Sequence, residues 1–140
     1  MIFLLKKYFM HKEYLVAGTL LAATAVALGA FGAHGLQNIV SDEKIIQNFR
    51  TGVLYQMIHA LAVVATGIIY MQYPNKKVQR AGFCFITGIL FFSGSLYLFT
   101  LLKIAGKSVT GLIGLLTPLG GLFLIAAWLM LLWGILDNKN

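Results

Sequence analysis

The chain has 140 residues, of which 59% are hydrophobic and 11% charged, and it carries a formal net charge of +7. Soluble domains hold about 45–50% apolar and about 25% charged residues, and one this small leaves too much surface exposed to hide such an apolar excess. The composition therefore excludes an ordinary water-soluble fold, and basic residues scattered between apolar runs exclude the clustered stripe of a nucleic-acid binder.

Residues 1–13, "MIFLLKKYFMHKE", read as an amphipathic leader able to lie on a membrane surface. The first apolar run covers 14–33 and contains no charge. It exceeds the 7–15-residue core of a signal peptide and has the length of a membrane helix. Gly18, Ala22, Ala25, Gly29 and Ala33 recur along it at steps of three and four, which places small residues on one helical face. In lipid such a face lets a second helix approach closely. The stretch "GAFGAHGL" (29–36) closes the run with three glycines at a spacing of three. A dinucleotide-binding loop would need a strand before it and a helix after it. Here a membrane helix precedes, so the glycines read as close-packed helix end.

"SDEKIIQNFRTG" follows, with Ser41 as the expected cap of a second helix and Asp42 and Glu43 in its first turn. That helix is expected to lie partly in the interface, to bend at Gly52 and to continue into a span over 53–73. A third span covers 81–102 and contains Cys84, the single cysteine, which cannot form an internal disulfide. "SVTGLIGLL" reads as a loop. A fourth span, 117–136, opens with Thr117 as cap and Pro118 in the first helical position. Residues 137–140 form a short tail. The predicted fold is all-α: an integral membrane four-helix bundle, residues 14–136, with antiparallel neighbours joined by short connections. Runs this long and uniformly apolar do not suit the alternating strands of a barrel.

Lysine and arginine counts set the expected orientation. Lys6, Lys7, Lys12, Lys76, Lys77, Arg80 and Lys139 fall on one side of four spans, against Lys44, Arg50, Lys103 and Lys107 on the other. The excess predicts cytoplasmic termini in a cell membrane. Tyr14, Tyr70, Tyr73 and Trp133 would then belong to the inner aromatic belt.

Four segments carry a more specific resemblance: "LGAFGAHGL" (28–36), "FRTGVLYQMIHALA" (49–62), "FFSGSLY" (91–97) and "TPLGGLFLIAAW" (117–128). From about Tyr14 onward the chain resembles the domain-of-unknown-function family four-two-three, small four-span membrane proteins of bacteria, with a similar mitochondrial membrane protein in animals. The resemblance implies the four-span topology and brings no activity with it.

Function therefore has to come from the polar residues. His59 is predicted about 10 Å into the second span at 1.5 Å per residue, and Ser93 and Ser95 reach a similar depth in the third. Gln56 and Tyr97 are shallower, His34 ends the first span and Thr117 starts the fourth. Tyr55 and His59, like Ser93 and Tyr97, are four apart and share a face. His34, Tyr55, Gln56, His59, Ser93, Ser95, Tyr97 and Thr117 are thus expected to meet in the outer half of the bundle. One reading is a hydrogen-bonded network that holds the helices together. The other is a pocket for a quinone headgroup, a lipid or a small solute, since ionisable groups inside membranes are functional candidates. Haem ligation by His34 and His59 fails on depth. A metal lacks ligands, a serine–histidine hydrolase lacks an orienting acid and oxyanion donors, and a proton-coupled exporter lacks an acid inside a span. The expected function is non-catalytic: an accessory or structural membrane protein that packs against itself or a larger complex, without cofactor or metal. The alternative is a binder or carrier of a small hydrophobic ligand.

Overall fold

The computed structural model describes residues 2–108 and 111–137. The chain forms α1 (Ile2–Ala30), α2 (Glu43–Gln72), α3 (Lys76–Ile104) and α4 (Gly111–Leu136), and there is no strand among the described residues. A membrane interior offers backbone groups no water, so each crossing segment must satisfy its own N–H and C=O groups, which a helix does. All four helices are long and apolar enough to span a bilayer, over Lys12–Asn38, Glu43–Gln72, Lys76–Ile104 and Ile113–Leu136. The protein is an all-α, multi-pass membrane protein. Its periphery agrees, because Leu20, Leu61, Leu90 and Leu122 point outward from the four helices as exposed apolar side chains.

The extensive packing is between chain neighbours: α1 on α2, α2 on α3 and α3 on α4. One core cluster joins Tyr14, Val63, Phe85, Leu124 and their neighbours. A smaller one joins Leu36, Ile46 and Phe49 at the other end.

Several local expectations change. The leader and the first span are one continuous helix from Ile2; the amphipathic expectation concerns side chains of residues 1–11, outside those described. Asp42, not Ser41, caps α2: its carboxylate accepts from the Lys44 N–H at 2.9 Å. Gly52 is not a bend, since α2 runs unbroken through it. Its bareness admits the Tyr97 ring, which an added Cβ would meet at 3.0 Å. Thr117 is not a cap and Pro118 is not in the first turn, because α4 begins at Gly111 and carries Pro118 inside it. Proline there removes one backbone donor, a loss membrane helices tolerate when neighbours re-satisfy the freed carbonyl. Most of the expected loop 108–116 is therefore helix, with Val109 and Thr110 outside the described residues, as are tail residues 138–140.

Candidate functional site

The first helix ends in an unusual way. After Ala30 the chain widens into a π-turn, Phe31–Gly35, then tightens into a 3₁₀ turn, Leu36–Asn38. A π-turn advances fewer degrees per residue than an α-turn, so it resets which side chains face the neighbour. The small-residue seam of α1 packs on α2. A Cβ on Gly18 would lie 2.6 Å from Val64 Cγ2 and 2.8 Å from its backbone N, and one on Gly29 would lie 3.3 Å from Val53 Cγ1. Ala25 is fully buried and Ala22 half-buried. Ala33, expected on the seam, is exposed instead, and Gly32 takes its place against the Phe49 ring, 2.9 Å from an added Cβ. Gly35 lies under the ring of Phe31. Each glycine of "GAFGAHGL" thus makes room for one side chain.

The eight polar residues do not form a single cluster. His34 is exposed in the π-turn, and among the described residues no hydrogen bond or ring contact ties it to the others. The remaining seven fall into separate groups.

Gln56 is the hub of the largest group. It is 5% exposed. Its Nε2 donates one hydrogen to the Leu21 carbonyl and the other to Thr24 Oγ1, both at 2.9 Å. Its Oε1 accepts from the Tyr97 hydroxyl at 2.8 Å. Thr24 Oγ1 in turn donates to the carbonyls of its own helix, to Leu21 at 2.9 Å. Both ends of one amide are therefore engaged, and α1, α2 and α3 are joined at one level. Thr24 and the Leu21 carbonyl were not anticipated. Thr24 lies on an exposed stretch of α1 between small residues, and only the facing Gln56 marks it.

Ser95 and Thr117 join α3 to α4 with their oxygens 2.6 Å apart. Ser95 uses its only hydrogen on the Phe92 carbonyl at 2.8 Å, so Thr117 donates to Ser95.

His59 belongs to an aromatic group instead. Its Nδ1 lies 2.8 Å from the Tyr55 carbonyl one turn back, which only accepts, so Nδ1 carries the hydrogen. The imidazole stacks on Tyr55 at 5.7 Å between centroids and sits 6.0 Å from Phe85 and 6.2 Å from Trp128. Tyr55, 39% exposed, stacks on Phe92 at 4.3 Å. Ser93 stands apart: it is 1% exposed and its hydroxyl has no hydrogen-bond partner among the described residues, so it is not paired with His59. Among the described residues no three His, Cys, Asp or Glu side chains gather closely enough to hold a metal ion.

The opposite end of the bundle has its own polar contacts, which sequence reasoning missed. Asn75 caps α3 by accepting from the N–H groups of Lys77 and Val78 at 3.0 Å. Its Nδ2 also donates to the Gly134 carbonyl of α4 at 2.8 Å. Lys77 pairs with Asp137 at 2.7 Å and lies over the Trp133 ring, 3.7 Å from its centroid. Tyr14 donates from α1 to the Gln79 carbonyl of α3 at 2.5 Å. An "N" directly after a proline is a visible cap signal, but its reach to residue 134 is not.

Comparison with known proteins fits this architecture. The family model described as "Protein of unknown function (DUF423)" matches residues 28–121. A UPF0382 membrane protein of Staphylococcus saprophyticus is 42% identical over 123 residues, covering 88% of this chain and 96% of its own. The UPF0382 membrane protein YwdK of Bacillus subtilis is 38% identical over 121 residues, covering 86% and 93%. A fission-yeast relative, from Schizosaccharomyces pombe, is 37% identical over 110 residues, covering 77% and 88%. No solved structure matches the chain. With four membrane-length helices and relatives matched along nearly their whole lengths, the chain belongs to the DUF423 family of membrane proteins.

Proposed function

We propose that this protein is a non-catalytic accessory or structural component of the membrane, with both termini in the cytoplasm, that packs against a second copy of itself or a larger membrane complex. The observation that carries this reading is Gln56. A buried amide whose donors and acceptor all go to neighbouring helices is a fastener, with no group left for a substrate. The Ser95–Thr117 pair serves α3 and α4 in the same way. Interhelical hydrogen bonds of this kind contribute about 0.6–2 kcal/mol each in a membrane. Gentle solubilisation followed by mass measurement tests the proposal. A stoichiometric second copy or partner protein is the expected result; a bare monomer that exchanges or turns over a small molecule would overturn it.

One observation favours a second reading, binding of a small hydrophobic ligand such as a quinone, a lipid or a small solute. The buried Ser93 hydroxyl lacks a partner among the described residues, and unsatisfied buried hydroxyls call for an explanation. Here the expected result is a ligand that copurifies with the wild type and is lost from both His59→Ala and His59→Gln. A purely structural His59 would instead be rescued by glutamine, with no ligand in any sample.

A further inference from the structure

The cleft between residues 13–17 of α1 and the start of α3 has a volume of about 580 Å³, within the range of small-molecule sites. It exists because α1 packs on α2 rather than on α3. Tyr14 is the strut across the gap: its ring lies on Gly82, where an added Cβ would meet it at 2.5 Å, and its hydroxyl holds the Gln79 carbonyl. Beside that strut the two walls change character along the helix axis. Lys76 and Arg80, one turn apart on α3, stand at the mouth, and Phe83 and Ile86 continue the same face inward. Ala17 forms the apolar part of the facing wall on α1. Neither Lys76 nor Arg80 forms an ion pair among the described residues, whereas Lys77, on the adjoining face, is held by Asp137 and Trp133.

We infer that this cleft binds one glycerophospholipid, its phosphodiester between Lys76 and Arg80 and an acyl chain along Ala17, Phe83 and Ile86. Charge complementarity identifies the headgroup end. Two cations face a single acid, Glu13, on the other wall, and the Arg80 guanidinium offers a fork that matches phosphate oxygens. The apolar wall identifies the rest. From Arg80 to Ile86 the helix rises about 9 Å, enough to pass from the headgroup layer into hydrocarbon. A free inorganic phosphate would satisfy the mouth and make no use of that wall. The site lies at the opposite end from the Gln56 network and depends on neither functional reading above.

Native mass spectrometry of the full chain in mild detergent tests the assignment with three probes: phosphatidylglycerol, a diacylglycerol with the same chains, and inorganic phosphate. Phosphatidylglycerol is expected to give one saturable adduct, which excess inorganic phosphate does not displace and diacylglycerol does not reproduce. Replacing both cations, Lys76→Gln with Arg80→Gln, should weaken the adduct about 30-fold, since each basic residue at a lipid surface contributes about fivefold. Arg50→Gln, which alters the mouth of a separate groove between α1 and α2, should leave it unchanged. Glu13→Gln should strengthen it. Both cations are exposed or rim residues outside the core, so the double variant should melt like the wild type before lipid is added, which separates lost binding from lost fold. Equal adducts in the double variant, equal binding of diacylglycerol, displacement by phosphate, or a weaker adduct in Glu13→Gln would each overturn the assignment.

Discussion

Replacing Gln56 with leucine removes three hydrogen bonds while nearly conserving volume. Two of them reach α1, at the Leu21 carbonyl and Thr24 Oγ1, and the third comes from the Tyr97 hydroxyl on α3. At the lower end of the membrane range, about 0.6 kcal/mol per bond, their loss amounts to about 2 kcal/mol. The half-buried Tyr97 hydroxyl is also left without its acceptor, and an unsatisfied group costs about 1–3 kcal/mol in a well-buried site. The expected destabilisation is therefore about 2–4 kcal/mol. Reversible unfolding in mixed micelles, titrated with a denaturing detergent, measures it. Tyr97→Phe sharpens the test. In the wild type it deletes one bond and leaves Oε1 bare, costing about 1 kcal/mol. In the Gln56→Leu background the hydroxyl is already an orphan, so its removal should cost nothing or stabilise. The coupling isolates the one pairwise contact. If Gln56→Leu lies within about 0.5 kcal/mol of the wild type, or if Tyr97→Phe costs the same in both backgrounds, the network does not fasten the helices.

Gly18→Ala should destabilise more than Gly29→Ala in the same assay, because the new methyl at 18 meets Val64 backbone at 2.8 Å and Ala60 carbonyl at 2.9 Å, whereas at 29 it meets only the tip of a valine side chain at 3.3 Å; equal effects would mean that α1 and α2 can part freely at residue 18. Asn75→Ala should cost about 1–2 kcal/mol, a helix cap plus one link to Gly134, and Asn75→Asp, which keeps the cap and loses only the amide donor, should recover part of that loss in thermal melts. A reporter fused after Asn140 should be active in the cytoplasm, and a cysteine at Asn38 should react with an impermeant thiol reagent from outside intact cells; labelling only after lysis would invert the proposed orientation.

Much of the architecture is legible in the residues themselves. Four apolar runs of bilayer length, with charges confined to their ends, can only become helices, because lipid forbids an unpaired backbone. The step of three and four between Gly18, Ala22, Ala25 and Gly29 is a property of the α-helix, so their common face needs no tertiary information. The cost of polar groups in hydrocarbon turns Gln56 and His59 toward the bundle interior, and both are buried on α2. What the sequence does not contain is the identity of the atoms opposite. Depth arguments place residues at a level of the bilayer and say nothing about how far each helix is rotated about its own axis. Eight polar residues at one level therefore looked like one site, and rotation separates them. Gln56 turns to Thr24 and Tyr97, Ser95 turns to Thr117, His59 turns into rings, and His34 faces outward. The end of the first helix is the sharpest instance: Ala33 is exposed and Gly32 lies against the Phe49 ring, a choice between neighbours on the helical face that spacing alone does not make. Likewise the cap residue Asn75 is visible locally, but its amide reaches Gly134, 59 residues away, only because packing brings the start of α3 beside the end of α4. Local sequence determines which backbone conformations are available and which faces must be hidden; the partners on those faces are set by packing, where van der Waals fit and hydrogen-bond pairing between distant segments select one rotation from several that the helical period allows.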